Sequence, residues 1–158
     1  MPLLTFENFS QASFEKGGRF LGCDVGEKTI GLALSDTNRK ISTPFQVIAR
    51  TQWKQDSKIL LDIINVHHII GVVVGFPLNM NGNEGPRCQS TRQFAANLLS
   101  LRELPVCLWD ERLSTIAVTR ALLEADLSRA KRSKVIDKVA ASYILQGFLD
   151  AFEHFQKK

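Results

Sequence analysis

A chain of 158 residues, 44% of them hydrophobic, is long enough to bury one full core and too short for two domains of ordinary size. Three cysteines, Cys23, Cys88 and Cys107, have no CxxC spacing, which argues against a disulfide framework and a structural zinc site; no apolar run reaches the roughly 18 to 20 residues that span a bilayer. The first residues lack the basic and continuous apolar regions of an export signal, so the expectation is a cytoplasmic protein without membrane association. Its net charge of +4 only tilts the odds toward a polyanionic partner.

In chain order, residues 1–18 read as an N-terminal extension, followed by a single domain over 19–158. Phe6, Phe9 and Phe14 in the extension can form an apolar face, but polar residues interleave them and "KGG" reads as a hinge, so a docked arm and a loose tail both stay open. "RFLGCDV", "IGLALSD" and "STPFQVIAR" are short apolar runs joined by the turn signals "GEKT" and "DTNRK", which predict three antiparallel strands. Trp53, Leu60, Ile63 and Ile64 follow at near-helical spacing. "IIGVVVGFP" is then an unbroken run of the kind buried on both faces of a sheet.

A glycine-rich loop, "GFPLNMNGNEGPR", leads to a helix from Arg87 to Leu101 with Phe94, Ala95, Leu98 and Leu101 on one period, and "LPVCLWDER" supplies the last strand. Ser114 can cap a further helix carrying Ile116, Ala117, Ala121, Leu122 and Ala125. In "VIDKVAASYILQGFLDAFEHF", apolar pairs recur at 135/136, 139/140, 143/144, 147/148 and 151/152, the strongest helical pattern of the chain. The order β-β-β-α-β-α-β-α-α describes a mixed α/β sheet with helices packed on it, antiparallel in its first three strands and parallel afterwards.

Ligands of such sheets sit at the carboxyl ends of the parallel strands. Asp24 ends the first strand; Asp110 and Glu111 end the last. Asp137, one turn from the small Ala140 and Ala141, completes a cluster with Asp24 and Glu111 if its helix turns it toward the sheet. Clustered carboxylates without histidine or cysteine suit a hard cation, Mg2+ or Mn2+, and the chemistry suggested is phosphoryl transfer to water. Taken singly, a strand-terminal acid such as Asp24 is more often a turn or cap residue than a ligand, and Asp137 alone fits an N-terminal helix charge favoured by the dipole.

Three blocks, "LGCDVGEKTIGLALSD", "GVVVGFPLNMNGNEGPRCQSTRQFA" and "DERLSTIAVTRALLEADLSRAKRSKVIDKVAASYILQGFLD", resemble the YqgF family, also called RuvX, nucleases attributed to pre-16S rRNA and similar to Holliday junction resolvases. The resemblance runs from about Phe20 to about Asp150. It implies a ribonuclease H-like fold and a metal-dependent nuclease whose acids fall on Asp24, Glu111 and Asp137, with Asp110 in reserve. Thr29 stands where the family commonly has Arg, which leaves Lys28 as the phosphate contact of that motif, and about nineteen residues precede the family's usual start.

Basic residues near these motifs are candidates for phosphate contacts: Lys28, Arg87 and Arg92 at the loop and helix start, Arg112 beside Glu111, and Arg129, Lys131, Arg132 and Lys134 in "SRAKRSKVIDK". A charge run is also what any solvated face looks like. The leading expectation is a nuclease acting on RNA at the 5′ end of pre-16S rRNA, with two Mg2+ or Mn2+ ions. A structure-selective nuclease on branched DNA is the alternative, alongside a non-catalytic rRNA-binding assembly factor and, with little weight, a nucleotide-binding phosphotransferase. Monomer and homodimer stay open.

Overall fold

A computed structural model describes residues 3–79, 81–113 and 129–157, and the side chains of these except 113 and 129–136. Its five-stranded sheet has β1 (Arg19–Val25), β2 (Thr29–Ser35), β3 (Ser42–Ala49), β4 (Ile69–Phe76) and β5 (Val106–Asp110) in the order β3-β2-β1-β4-β5. The first three strands pair antiparallel; β4 lies parallel to β1, and β5 parallel to β4. This is the mixed α/β sheet the strand order predicted. β1 and β4 sit in the interior of the sheet, which is why both are apolar on each face.

Strand alternation divides the core into two layers. On one face Leu21, Cys23, Val25, Ile30 and Leu32 meet Leu60, Ile63 and Ile64 of α2 (Trp53–Val66) and Phe94, Ala95 and Leu98 of α3 (Pro86–Leu101). On the other, Phe20, Ala33, Val73, Cys107 and Trp109 meet Ala140, Ala141, Ile144, Leu145, Phe148, Leu149 and Phe152 of α4 (Arg129–Gln156). Each Val, Leu, Ile or Phe side chain buried in these layers contributes about 1.5–3 kcal/mol by leaving water.

Three details differ from the sequence pattern. α4 already includes Arg129, so the basic run is helical and not a lead-in to the helix. Its buried stripe is 140/141, 144/145, 148/149 and 152, one residue later than the apolar pairs suggested; Tyr143 is 39% exposed because its phenol can remain in water while Leu145 turns inward. Third, β5 stops at Asp110, and Glu111 opens a 3-10 turn, Glu111–Leu113. Ser114 and the helix expected after it lie outside the described residues.

The N-terminal segment is a docked arm. Leu4 N donates to Val106 O (2.9 Å) alongside β5, and Thr5 caps the short helix α1 (Phe6–Gln11) through Asn8 N (3.1 Å). Phe9 is fully buried, with ring centroids 5.2 Å from both Phe20 and Phe148. Polar residues between the phenylalanines obscured this pattern because α1 buries one narrow face. Arg39 then ties the arm's exit to the sheet, donating from Nη1 to Gly18 O (2.9 Å).

Candidate active site

Register decides which acids share a face. Phe20 of β1 lies in the α4 layer and Leu21 in the other, so Asp24 projects toward α4. In β5, Cys107 and Trp109 also face α4, while Leu108 packs on the opposite layer; Asp110 shares the side of Leu108. Glu111, in the 3-10 turn just beyond the strand, returns to the α4 face. Its Oε1 lies 2.8 Å from the point where a Cβ on Gly75 would sit, beside Ile144 of α4.

Gly75 therefore has a specific use. It comes one step after Val74, the β4 partner of Cys23, and so stands between Asp24 on β1 and Glu111 beyond β5. A side chain there would fill the space that Glu111 occupies. What approaches this glycine in the fold is the Glu111 carboxyl group and Ile144. Asp24 and Glu111 are both buried, 4% and 9% exposed.

Asp137 reaches the same face from α4. Gly31, the β2 partner of Asp24, has no Cβ because the Asp137 main chain rests on it. The Asp137 Oδ2 atom accepts a hydrogen bond from Thr29 Oγ1 at 2.6 Å. The third acid is thus held over β2, and among the described residues no three histidine, cysteine or acidic side chains form a ready cluster for one ion. In place of the expected three-carboxylate cluster, the described residues set Asp24 and Glu111 on either side of Gly75 and engage Asp137 with Thr29.

The donor set is oxygen only. Burial pushes the Cys23 thiol far above its usual range, with the charge of Asp24 adding to the effect, and Cys107 is pushed up to about 12 by burial and then by Glu7. Both are protonated thiols at neutral pH. Of the histidines, His67 ends α2, His68 faces Glu15 at 3.3 Å and His154 lies near the far end of α4. Two buried carboxylates on either side of Gly75 fit a hard divalent cation in their chemistry, since magnesium commonly takes one or two carboxylates and keeps several waters.

The basic candidates separate by their partners. Arg87, at the start of α3, donates from Nη2 to Val25 O (2.9 Å) and stands 3.8 Å from Asp24 Oδ1, so it touches the acid directly. Lys28 is exposed on the β1–β2 turn. Arg92 instead forks onto Glu84 (3.0 and 3.1 Å) and covers the Phe76 ring, fastening the glycine-rich loop to α3. Arg112 forks onto Asp110 (3.0 Å from Nε, 2.7 Å from Nη2), which holds the Asp110 carboxyl below the usual range. Asp110 is thereby the partner of Arg112, away from the α4 face. The side chains of Arg129, Lys131, Arg132 and Lys134 lie outside the described residues.

Two contributors escaped the sequence reading. Thr29 entered it as a departure from a motif, and its role depends on a residue 108 positions away. Arg50 had no motif at all. It closes the β1–β2 turn beside Asp24, its Nη1 donating to Gly26 O and its main-chain N to Lys28 O, each at 2.8 Å.

A family model described as "RuvX: Holliday junction resolvase" matches residues 18–151. The chain belongs to the RuvX family. Within it, the chain is 58% identical over 139 residues to a protein of Paramagnetospirillum magneticum (strain ATCC 700264 / AMB-1) described as "Putative pre-16S rRNA nuclease", an alignment covering 88% of this chain and 90% of the other. A Ruegeria sp. (strain TM1040) protein of the same description is 53% identical over 151 residues, with 96% of each chain covered. Among solved structures, "T. thermophilus RuvC in complex with Holliday junction substrate" superposes with a TM-score of 0.54 at 15% identity, covering 89% of this chain and 97% of that one. The likeness establishes the ribonuclease H-like fold. As a RuvX-family nuclease, the chain is a hydrolase of nucleic-acid phosphodiester bonds, and among its described residues no helix is long and apolar enough to cross a membrane.

Proposed function

We propose that this RuvX-family chain hydrolyses RNA at the 5′ end of pre-16S rRNA, in the cytoplasm, through Asp24, Glu111 and Asp137. The observation that carries the reading is the placement of two buried acids, Asp24 of β1 and Glu111 beyond β5, on either side of Gly75 at the carboxyl ends of the parallel strands, with Asp137 of α4 over the same face of the sheet. The RNA substrate rests on the description shared by the relatives at 58% and 53% identity. Residues 19–158 act as one nuclease domain, with residues 1–18 as an addition to it.

Asp24 and Glu111 would hold a Mg2+ or Mn2+ ion, with Asp137 as the third acid. When bound, the cation supplies a Lewis acid that stabilises charge on the phosphoryl oxygens and lowers the pKa of water. The chain's own residues do the rest. Arg87 bridges the hairpin and Asp24, and its half-exposed guanidinium is placed to meet a substrate phosphate as well. Lys28 adds a charge at the turn, and the basic positions of α4 would follow the backbone without reading sequence.

Cleavage of branched DNA is the second reading, favoured by the family model's own description. One experiment separates the two: labelled precursor 16S rRNA and a four-way DNA junction are incubated side by side with Mn2+, with chelator, and with Asp24→Asn. Metal-dependent RNA cutting lost in the variant is the expected result. Preference for the junction would replace the substrate, and RNA binding without cutting of either would replace the enzyme by an assembly factor.

A further inference from the structure

We propose that Thr29 is a positioning residue that aims the Asp137 carboxylate into the acid site, an assignment that rests on the nuclease reading above. Its hydroxyl donates to Asp137 Oδ2 at 2.6 Å, a heavy-atom separation within the range of short hydrogen bonds from a hydroxyl to a carboxylate. Such a bond is about twice as strong as one between neutral groups. It links two residues that only the packing of α4 on β2 brings together.

Thr29 is well placed for this because its own position is held from several sides. Thr29 O receives the Gly26 N–H at 2.8 Å across the β1–β2 turn, and Thr29 pairs with Ala49 of β3. Arg50 closes the same turn through Gly26 O and Lys28 O. A β-branched side chain has few χ1 rotamers, so an anchored main chain leaves the hydroxyl little freedom.

Two residues later on the same face of β2, Gly31 lets the Asp137 main chain rest directly on the strand. Gly31 locates the backbone of the acid and Thr29 orients its carboxylate. One accepted hydrogen bond leaves most of that carboxylate's acceptor sites available for water or a cation. Without the hydroxyl, Asp137 remains in place but its carboxylate turns freely, and the productive orientation becomes one of several.

The test pairs Thr29→Val, which keeps the shape and loses the donor, with Thr29→Ser, which keeps the donor. Thr29→Val should lower kcat on precursor rRNA about tenfold with KM within about twofold, the scale seen when an outer partner of a ligand is removed. It should also weaken Mn2+ binding several-fold in calorimetric titration without RNA, and Thr29→Ser should restore both. Wild-type kcat and Mn2+ affinity in Thr29→Val, or equal losses in Thr29→Ser, overturn the assignment. Should Thr29→Val fail to fold, Thr29→Ala replaces it under the same criteria. Asp24→Asn, run in parallel, judges the nuclease reading separately: if it cuts as the wild type does, that reading falls, while the Mn2+ titration still decides the role of Thr29.

Discussion

The face that the sheet shares with α4 has two ends, and they are built from opposite materials. Toward the C-terminus of α4, Phe148 meets Phe6, Phe9 and Trp109 at centroid separations of 5.6, 5.2 and 5.6 Å, largely edge to face. Toward Asp137, about 16 Å back along the helix axis, the sheet places Gly31 under the Asp137 main chain and Gly75 under Glu111, on either side of Asp24. Large rings fill one end, and at the other glycines let the Asp137 main chain and the Glu111 carboxyl group close onto the sheet. A single rigid helix thus carries the stability of the aromatic end to a place where buried acids cost stability.

The comparison breaks most sharply at Asp24. Asp24→Asn should reduce cleavage by about 10²–10³-fold, the scale for loss of a group that stabilises the transition state, while its melting temperature changes little, since the half-exposed Arg87 keeps its bond to Val25 O. Phe148→Ala should do the reverse. It removes about 3–5 kcal/mol of stability in urea titrations, and the fraction that remains folded should cut at near the wild-type rate.

Gly75→Ala sharpens the contrast, since its new Cβ meets both Glu111 and Ile144. The variant should lose roughly 1–3 kcal/mol to overpacking and roughly 10–100-fold in kcat from the displaced carboxylate; wild-type kcat would show that Glu111 is not a working group. The smallest effect belongs to Asp110, outside both ends. Its pKa is lowered in the folded state by Arg112, so its stabilisation is present above the unfolded carboxylate value of about 3.9 and is lost as pH falls through the folded value. Asp110→Asn should flatten the acid limb of the melting-temperature profile slightly and leave neutral-pH cleavage unchanged.

How much of this was legible in the sequence follows from range. β1, β4 and α3 announce themselves through apolar runs and a 3.6-residue period, because local patterning and burial coincide there. The acids were legible as strand-end charges. Their ranking came only from the family resemblance: Glu111 and Asp110 are adjacent in sequence, and what separates them physically is the end of β5 at Asp110, the turn that follows and the fork of Arg112. The docked arm was undecidable for a similar reason, since Phe6 and Phe9 gain their meaning from Trp109 and Phe148.

By itself, then, the sequence determined the order of elements, the mixed sheet and the acids at its strand ends, all of which depend on neighbours within one turn or one strand. Tertiary structure alone decided that Gly75 makes room for Glu111, that Gly31 seats the Asp137 main chain, and that Thr29 holds its carboxylate. These contacts join residues from 36 to 108 positions apart, so their energies exist only after the chain has closed on itself, and no local pattern can encode which partner will arrive.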